Sequence, residues 1–142
     1  MTQLTEQSAR DMIAVVNTRN VEKVVDQYAE DATFQVPDMT TPLHGRTEIR
    51  DFLTGSFAAF PDWTLDITKV FVSGDETVVV NSVRGTHTGP LTGKDGKTIA
   101  PTNKKFVSDQ MTRIVLNENG KVQSLRAYGN PSDLYVQLGL SK

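Results

Sequence analysis

Hydrophobic residues at the start of the chain recur at helical spacing. Over residues 5–17 they fall mostly three or four positions apart, which predicts an amphipathic helix. Asn20 suits an N-cap, and residues 21–28 again place hydrophobic side chains at i, i+3, i+4 and i+7. A third helix is predicted from Thr47, which can cap it, to Pro61-Asp62, which ends it.

Later in the chain the spacing changes to period two, which indicates strands. Strands are predicted over 33–36, 64–72, 77–88, 106–116 and 121–128, with a polar loop over 89–103 and a last helical turn or two over 131–138. Helices first and hairpin-linked strands later favour an α+β class with an antiparallel sheet. Such a sheet can curl around its helices and leave the enclosed, mostly apolar pocket that small-molecule sites prefer.

The composition narrows the functional classes. The length of 142 residues fits one domain, 1–142, and the balance of 15 Lys+Arg against 17 Asp+Glu lacks the basic face that nucleic-acid binding needs. No apolar run reaches the roughly 18 residues of a membrane span. The absence of Cys excludes disulfides and thiol nucleophiles. Because acidic residues stand where a signal peptide would be basic, we expect a cytoplasmic protein.

Strand alternation separates core-facing from outward-facing side chains. With Arg84 placed outward, the inward set comprises Asn81, Val83, Gly85, His87, Ser108, Gln110, Thr112, Gln123, Leu125 and Ala127, while Asp109, Arg126 and Tyr128 point outward. A one-residue bulge would reverse any of these assignments. The polar members of the inward set are the first candidates for chemistry.

Three residues are the candidates for catalysis. His87 suits general acid/base work near neutrality, although a histidine at a strand end can equally be structural. Gln110 can donate a hydrogen bond to a developing enolate oxygen, or be a satisfied polar residue on a half-buried strand. Asp109 would be a general base only if a bulge turned it inward, and is otherwise a solvated surface charge.

Short motifs along the chain carry a family resemblance. They are Tyr28–Ala32, His44–Arg46, Ile49–Phe52, Ala59–Trp63, Arg84–Gly89, Asn119–Val122 and Asp133–Gly139. With the segment order, they resemble the SnoaL-like polyketide cyclase branch of the NTF2-like superfamily over almost the whole chain. The resemblance implies an NTF2-like cone, in which helices pack on the concave face of a curved antiparallel sheet.

The same resemblance implies a cofactor-free enzyme acting by proton transfer on a polyketide-like or polycyclic carbonyl compound, by cyclisation, isomerisation or elimination. The family places an acid/base Asp in the last strand, and the matching position here is Ala127. Asp38 lies near the place where related isomerases keep their base, although a loop Asp commonly serves a turn. The alternative is a non-catalytic small-molecule-binding or accessory protein of the same fold that has lost the catalytic Asp.

A hydrophobic ligand needs an apolar wall with a few polar groups. The candidates to contact it are Met12, Tyr28, Phe34, Asp38, Trp63, Asn81, Leu125 and Ala127. Most of the aromatic members could instead be core packing, and Trp63 is the one most worth testing as a ligand wall. No cofactor is implied, and no metal is expected, because nothing places His44 and His87 together with a carboxylate.

The outer face of the predicted sheet suggests a protein partner. Val107, Met111 and Val115 share that face with Asp109. Apolar residues on an outer sheet face are better covered by a partner than by water. We therefore expect a homodimer.

Overall fold

The computed structural model of the protein describes residues 4–92 and 96–140. The helices are α1 (Glu6–Val16), α2 (Val21–Val25), α3 (Gly45–Ala59) and α4 (Asp133–Gln137). The strands are β1 (Tyr28–Gln35), β2 (Leu43–His44), β3 (Thr64–Ser73), β4 (Glu76–Thr86), β5 (Leu91–Thr92), β6 (Thr98–Ile99), β7 (Lys105–Leu116) and β8 (Val122–Gly129). No helix within the described ranges is long and apolar enough to cross a membrane.

The long strands form one curved, six-stranded sheet in the order β2-β1-β8-β7-β4-β3. Its neighbours are antiparallel except for β1 and β8, which run parallel. β5 and β6 make a separate small hairpin within the segment predicted as a loop. Helix α1 packs on β3, and helix α3 packs on β1. The predicted α+β class with an NTF2-like arrangement is confirmed.

β1 begins at Tyr28 rather than at Thr33, because the second helix is shorter than its hydrophobic spacing predicts. α2 ends at Val25, and the carbonyl of Gln27 accepts a hydrogen bond from the Val122 N–H at 2.7 Å. This bond draws the chain into the sheet beside β8. The parallel β1–β8 pair, which local spacing cannot reveal, is the consequence.

Helix starts follow capping chemistry, with one correction. The side chain of Asn20 accepts the Lys23 N–H at 3.1 Å, as predicted for an N-cap. The predicted start of the third helix at Thr47 is wrong, because α3 already begins at Gly45. Gly45 adopts a positive φ of 84°, which turns the chain sharply there. The Glu48 side chain then reaches back to accept the backbone N–H of His44 at 2.9 Å.

Asn17 joins α1 to the edge of the sheet. Its side-chain Nδ2 donates to the carbonyl of Leu65 at 2.9 Å, and its Oδ1 accepts the N–H of the same residue at 2.8 Å. These two bonds align α1 along β3, so that Ala9 and Ile13 are buried. The main core lies between the helices and the inner face of the sheet, where Ile49 of α3 and Ile114 of β7 are buried.

The loop after β4 crosses the C-terminal end of α3 at very short range. The backbone N–H groups of Thr88 and Gly89 both donate to the carbonyl of Ala59 at 3.1 Å. A Cβ on Gly89 would lie 1.9 Å from the carbonyl oxygen of Ala58, so only glycine permits this approach. The contact fixes the loop that follows β4 against α3.

We expect Gly89→Ala to destabilise the fold by about 2 kcal/mol or more, because backbone must move to admit the methyl group. Gly55→Ala is the matched control, since nothing lies within 4 Å of its added Cβ in the interior of α3. That control should stabilise the protein by roughly 0.5–1 kcal/mol. Urea unfolding followed by circular dichroism measures both. Equal stability of Gly89→Ala and the parent would contradict the close approach.

Candidate functional site

A cavity of about 140 Å³ lies between the inner face of the sheet, α3 and α4. Its lining comprises Val36, Pro37, Asp38, Phe52, Ser56, Phe60, Val83, Leu91, Phe106, Ser108, Gln110, Asn130, Pro131, Leu134 and Tyr135. Most of these side chains are apolar. Among the described lining residues, Asp38 is the only one with a carboxylate, and Gln110 and Asn130 supply amides.

Asp38 reaches the cavity from the turn that follows β1. The N–H of Met39 donates to the carbonyl of Val36 at 3.0 Å and closes this turn. The side chain of Gln35 donates to the Met39 carbonyl at 3.1 Å and ties the turn back to the strand. The turn is thus held at both ends, which gives the half-buried Asp38 a defined place at the cavity wall.

Gln110 enters the cavity from the middle of the sheet. It stands opposite Asn81 on β4 and opposite Gly129 on β8. A Cβ on Gly129 would lie 3.4 Å from the Gln110 Cγ and 3.0 Å from the carbonyl of Asp109. The glycine therefore leaves room for the amide side chain beside the end of β8.

Asn81 lies next to Gln110 with an unused donor. It is 2% exposed, and its Oδ1 accepts the hydroxyl of Thr112 at 2.9 Å. Its Nδ2 is buried and has no hydrogen-bond partner among the described residues. A buried amide N–H without a partner is costly, and such groups commonly serve a bound water or ligand. The inner face thus offers a spare donor beside the cavity amide.

Three phenylalanine rings form an aromatic wall of the cavity. The rings of Phe60 and Phe106 meet edge to face with centroids 5.1 Å apart, and both line the cavity. Phe52 adds a third ring, and its centroid is 5.4 Å from that of Phe34 behind it. The wall is therefore backed by further packing and cannot recede easily.

His87 lies behind this wall and does not line the cavity. Its ring is fully buried, 5.5 Å from the ring of Phe60. Nδ1 accepts the backbone N–H of Thr102 at 3.2 Å and lies 3.0 Å from the Thr102 hydroxyl. Burial lowers the pKa of His87, and the Gly89 backbone opposes that shift in part. Nε2 is buried and has no hydrogen-bond partner among the described residues. The imidazole is therefore a buried group that packs against Phe60.

Comparison with known proteins identifies the family. A family model of the SnoaL-like polyketide cyclases matches residues 6–138. The chain belongs to this family. The resemblance carried by the sequence motifs is therefore confirmed.

Solved structures share the fold of this SnoaL-like chain. AclR, a proposed hydroxylase from Streptomyces galilaeus, is 20% identical with a TM-score of 0.77, covering 96% of this chain and 85% of its own. A Catenulispora acidiphila DSM 44928 protein of ketosteroid isomerase-like fold, in complex with trimethylamine, is 19% identical with a TM-score of 0.75, covering 96% and 95%. SalBIII, an epoxide hydrolase/cyclase-like enzyme of pyran ring formation in salinomycin, is 18% identical with a TM-score of 0.74, covering 90% and 92%. At these identities the likeness concerns the fold alone.

Ala127 occupies the position in the last strand at which the resemblance implies an acid, and here it contributes to packing. Ala127 is buried on β8 opposite Thr112 and does not line the cavity. The carboxylate of the cavity instead comes from Asp38, in the turn after β1. The carboxylate on the cavity wall therefore lies on a different element from the one that the resemblance implies.

Asp109 is exposed on the outer face of β7. The β4–β7 pairing keeps one register from Glu76↔Val115 to Thr86↔Lys105. The bulge that would have turned Asp109 inward is therefore missing from this pair of strands. Its carboxylate points away from the cavity, so the predicted role as general base lacks the geometry it requires.

Most of the residues predicted to contact a ligand serve the core instead. Met12, Tyr28, Phe34, Trp63, Leu125 and Ala127 all lie outside the cavity lining. Tyr28 is 3% exposed, and burial raises its pKa well above the ordinary tyrosine value. Trp63 packs against Phe57 with ring centroids 5.7 Å apart. Of the eight predicted contact residues, only Asp38 is on the cavity wall, and Asn81 lies next to Gln110.

The cavity also contains residues that the sequence pattern left unassigned. Phe60 directly follows α3, and Phe106 is the second residue of β7. Asn130 and Tyr135 follow the last strand, where no local spacing shows that the chain folds back over the sheet. Within residues 4–92 and 96–140, no group of three His, Asp or Glu side chains is close enough together to hold a metal ion.

The buried His87 predicts a pH dependence of stability. Its pKa is lowered in the folded state, whereas the unfolded chain titrates near about 6.5. Its stabilising contribution is therefore complete above that pH and is lost as the pH falls below it towards the folded pKa. His87→Asn keeps an acceptor for Thr102 but cannot titrate, so we expect it to flatten the fall in stability below about pH 6.5.

Urea unfolding between about pH 7.5 and 5 measures this difference. His44→Gln is the matched control, because His44 is exposed and makes no side-chain cap of α3. The control should retain the parent profile. A His87→Asn profile as steep as that of the parent would show that His87 does not cause the loss.

Proposed function

We propose that this chain is a cofactor-free acid/base enzyme that removes a proton next to the carbonyl of a hydrophobic small molecule. The observation that carries the proposal is the pairing of one carboxylate, Asp38, with one free amide, Gln110, on an otherwise largely apolar cavity wall. Family membership supports a cyclase- or isomerase-type role. The specific outcome, cyclisation, isomerisation or elimination, then depends on where the substrate returns the proton.

Asp38 is the base in this proposal. Its carboxylate would take the α-proton, and the C–H electrons would move into the bond between the α-carbon and the carbonyl carbon. The same carboxylic acid can return the proton to another carbon or to a leaving oxygen. A carboxylate on an apolar wall suits this task, because little water competes for the substrate.

Gln110 would stabilise the oxygen on which negative charge develops. An amide N–H aimed at an enolate oxygen acts as an oxyanion-type donor. Asn81 supports the assignment, because its buried Nδ2 lacks a partner directly across the strand pair from Gln110. Its donor can bind the Gln110 side chain or a water and so orient the amide. Neither His87 nor Asp109 takes part in this scheme.

The first test compares base and control variants on an enolisable ketone. We expect Asp38→Asn to lower protein-catalysed exchange of the methyl protons of acetophenone in D₂O by about 10²-fold or more, followed by NMR. Gln110→Leu keeps the side-chain volume but removes the hydrogen-bond donors, and it should lower the exchange rate by about 10²-fold. Asp51→Asn, an exposed change on α3, should leave exchange unaltered. Unchanged exchange in Asp38→Asn, with an unaltered melting temperature, would refute the role of the base.

The second candidate function is non-catalytic binding of a hydrophobic small molecule. The observation that favours it is Ala127, buried where the family pattern expects an acid. A binder would hold acetophenone or a related ketone without speeding proton exchange in the parent protein. The same NMR experiment therefore separates the two functions. The cytoplasmic location stays a prediction from the sequence.

We propose in addition that the outer face of the sheet joins two copies of the chain. Val80, Met111 and Tyr128 stand in one row across β4, β7 and β8, and Met111 and Tyr128 are 55% and 49% exposed. Two of the three arginines on this face are neutralised within the chain, since Arg84 pairs with Asp66 and Arg113 pairs with Glu76. Arg126 lies over the Tyr128 ring, 4.8 Å from its centroid. The two ion pairs reduce the repulsion between two copies of the face.

Met111→Asp should convert the proposed dimer into a monomer, because it places a carboxylate in the centre of the apolar row. Light scattering coupled to gel filtration at micromolar concentration gives the mass. Val136→Asp is the control, since Val136 is 60% exposed on α4, away from this row. A monomeric parent protein would contradict the dimer.

A further inference from the structure

Helix α4 and the segment before it form one wall of the cavity. Asn130 and Pro131 lead from the end of β8 to the helix, and Leu134 and Tyr135 line the cavity from the helix itself. α4 spans only Asp133–Gln137, which is too short to be stable on its own. Its position must therefore come from contacts with the sheet.

Gln137 provides the main polar contact. β8 ends opposite Gln110, so the part of β7 before Gln110 has no β8 neighbour. The side-chain amide of Gln137 occupies this edge: its Nε2 donates to the carbonyl of Val107 at 2.7 Å, and its Oε1 accepts the Val107 N–H at 2.8 Å. The Gln137 side chain thus makes the two hydrogen bonds with the Val107 backbone that a neighbouring strand would otherwise make.

A second contact holds the other end of the helix. The hydroxyl of Ser108 donates to the carboxylate of Asp133 at 3.0 Å. The buried side chain of Leu138 follows directly after the helix. Together these contacts fasten α4 to β7 and keep Leu134 and Tyr135 over the cavity.

The cavity is small. Its volume of about 140 Å³ is close to the roughly 150 Å³ of an engineered cavity that holds one benzene molecule. The aromatic wall cannot recede easily, because Phe60 packs on Phe106 and His87. A ligand that overfills the cavity on its helix side would contact Leu134 and Tyr135 and would have to displace α4.

We propose that this site takes a one-ring carbonyl compound and that Gln137, by holding α4 against β7, sets this size limit. The inference rests on the proposed function for the carbonyl group, and on the cavity and the α4 contacts for the size. Gln137 does not line the cavity, so it is a positioning residue. It acts through Leu134 and Tyr135.

The test uses methyl ketones that differ only in ring number: acetophenone, 2-acetylnaphthalene and 2-acetylanthracene. Isothermal titration calorimetry on the full chain measures each affinity. In the parent protein acetophenone should bind at least about tenfold more tightly than either larger ketone, since those must first open α4. Gln137→Ala removes both hydrogen bonds and should bring the two-ring ketone to within about threefold of acetophenone.

Two further variants keep the result interpretable. Gln137→Glu preserves the length but turns a carboxylate oxygen towards the Val107 carbonyl, so it should relax the size order as Gln137→Ala does. Val136→Ala changes an exposed neighbour on the same helix and should keep the parent order. Relaxation by both Gln137 variants but not by Val136→Ala would support the proposal, because Val136→Ala changes α4 without touching its hydrogen bonds to Val107.

Other outcomes overturn it. The size limit fails if acetophenone does not bind the parent, if the three-ring ketone binds as tightly, or if both Gln137 variants keep the parent order. The proposed function is tested separately, by exchange of the methyl protons. Binding in the expected size order without any exchange would refute the enzyme and leave the size limit standing.

Discussion

The unbroken pairing of β4 with β7 is the constraint on which the rest of the site depends. These two strands keep one register along their full paired length. Because side chains alternate between faces, a slip of β7 by one residue would exchange its inner and outer side chains. The observed register turns Ser108 and Gln110 into the cavity and sends Asp109 and Met111 to the outer face. The chemistry of the cavity and the apolar outer row are thus two results of the same pairing.

Asn81 and His87 each keep one buried nitrogen without a hydrogen-bond partner among the described residues, but they differ in where they lie. His87 accepts the Thr102 N–H through Nδ1, packs its ring on Phe60 and does not line the cavity, so it serves the core. Asn81 has its oxygen bonded to Thr112 but leaves its Nδ2 without a partner among the described residues. A buried donor left in this state costs stability, which a core designed for packing alone would avoid. Because Asn81 stands opposite Gln110, its spare donor favours a polar occupant near Gln110.

The cavity also shows how this SnoaL-like chain departs from its family pattern. β8 carries the buried Ala127 where the resemblance implies an acid, and the turn after β1 brings Asp38 to the cavity wall. An acid in a turn depends on the bonds that hold the turn, here those of Met39 with Val36 and Gln35. The short end of β8 leaves an edge of β7 that Gln137 covers. Helix α4 therefore packs along the part of β7 that has no strand neighbour, and it covers one side of the cavity.

Local pattern in the sequence determined the α+β class, the Asn20 cap, the long strands and the family, since each depends on spacing or on short motifs. The burial of Asn81 follows from alternation along β4, and the exposure of Asp109 follows from alternation along β7. Only the tertiary structure decided that β1 lies parallel to β8, that His87 sits behind Phe60, and that α4 folds over the cavity. Each of these joins residues far apart in the chain, and periodicity within a segment carries no information about which distant segment will cover it.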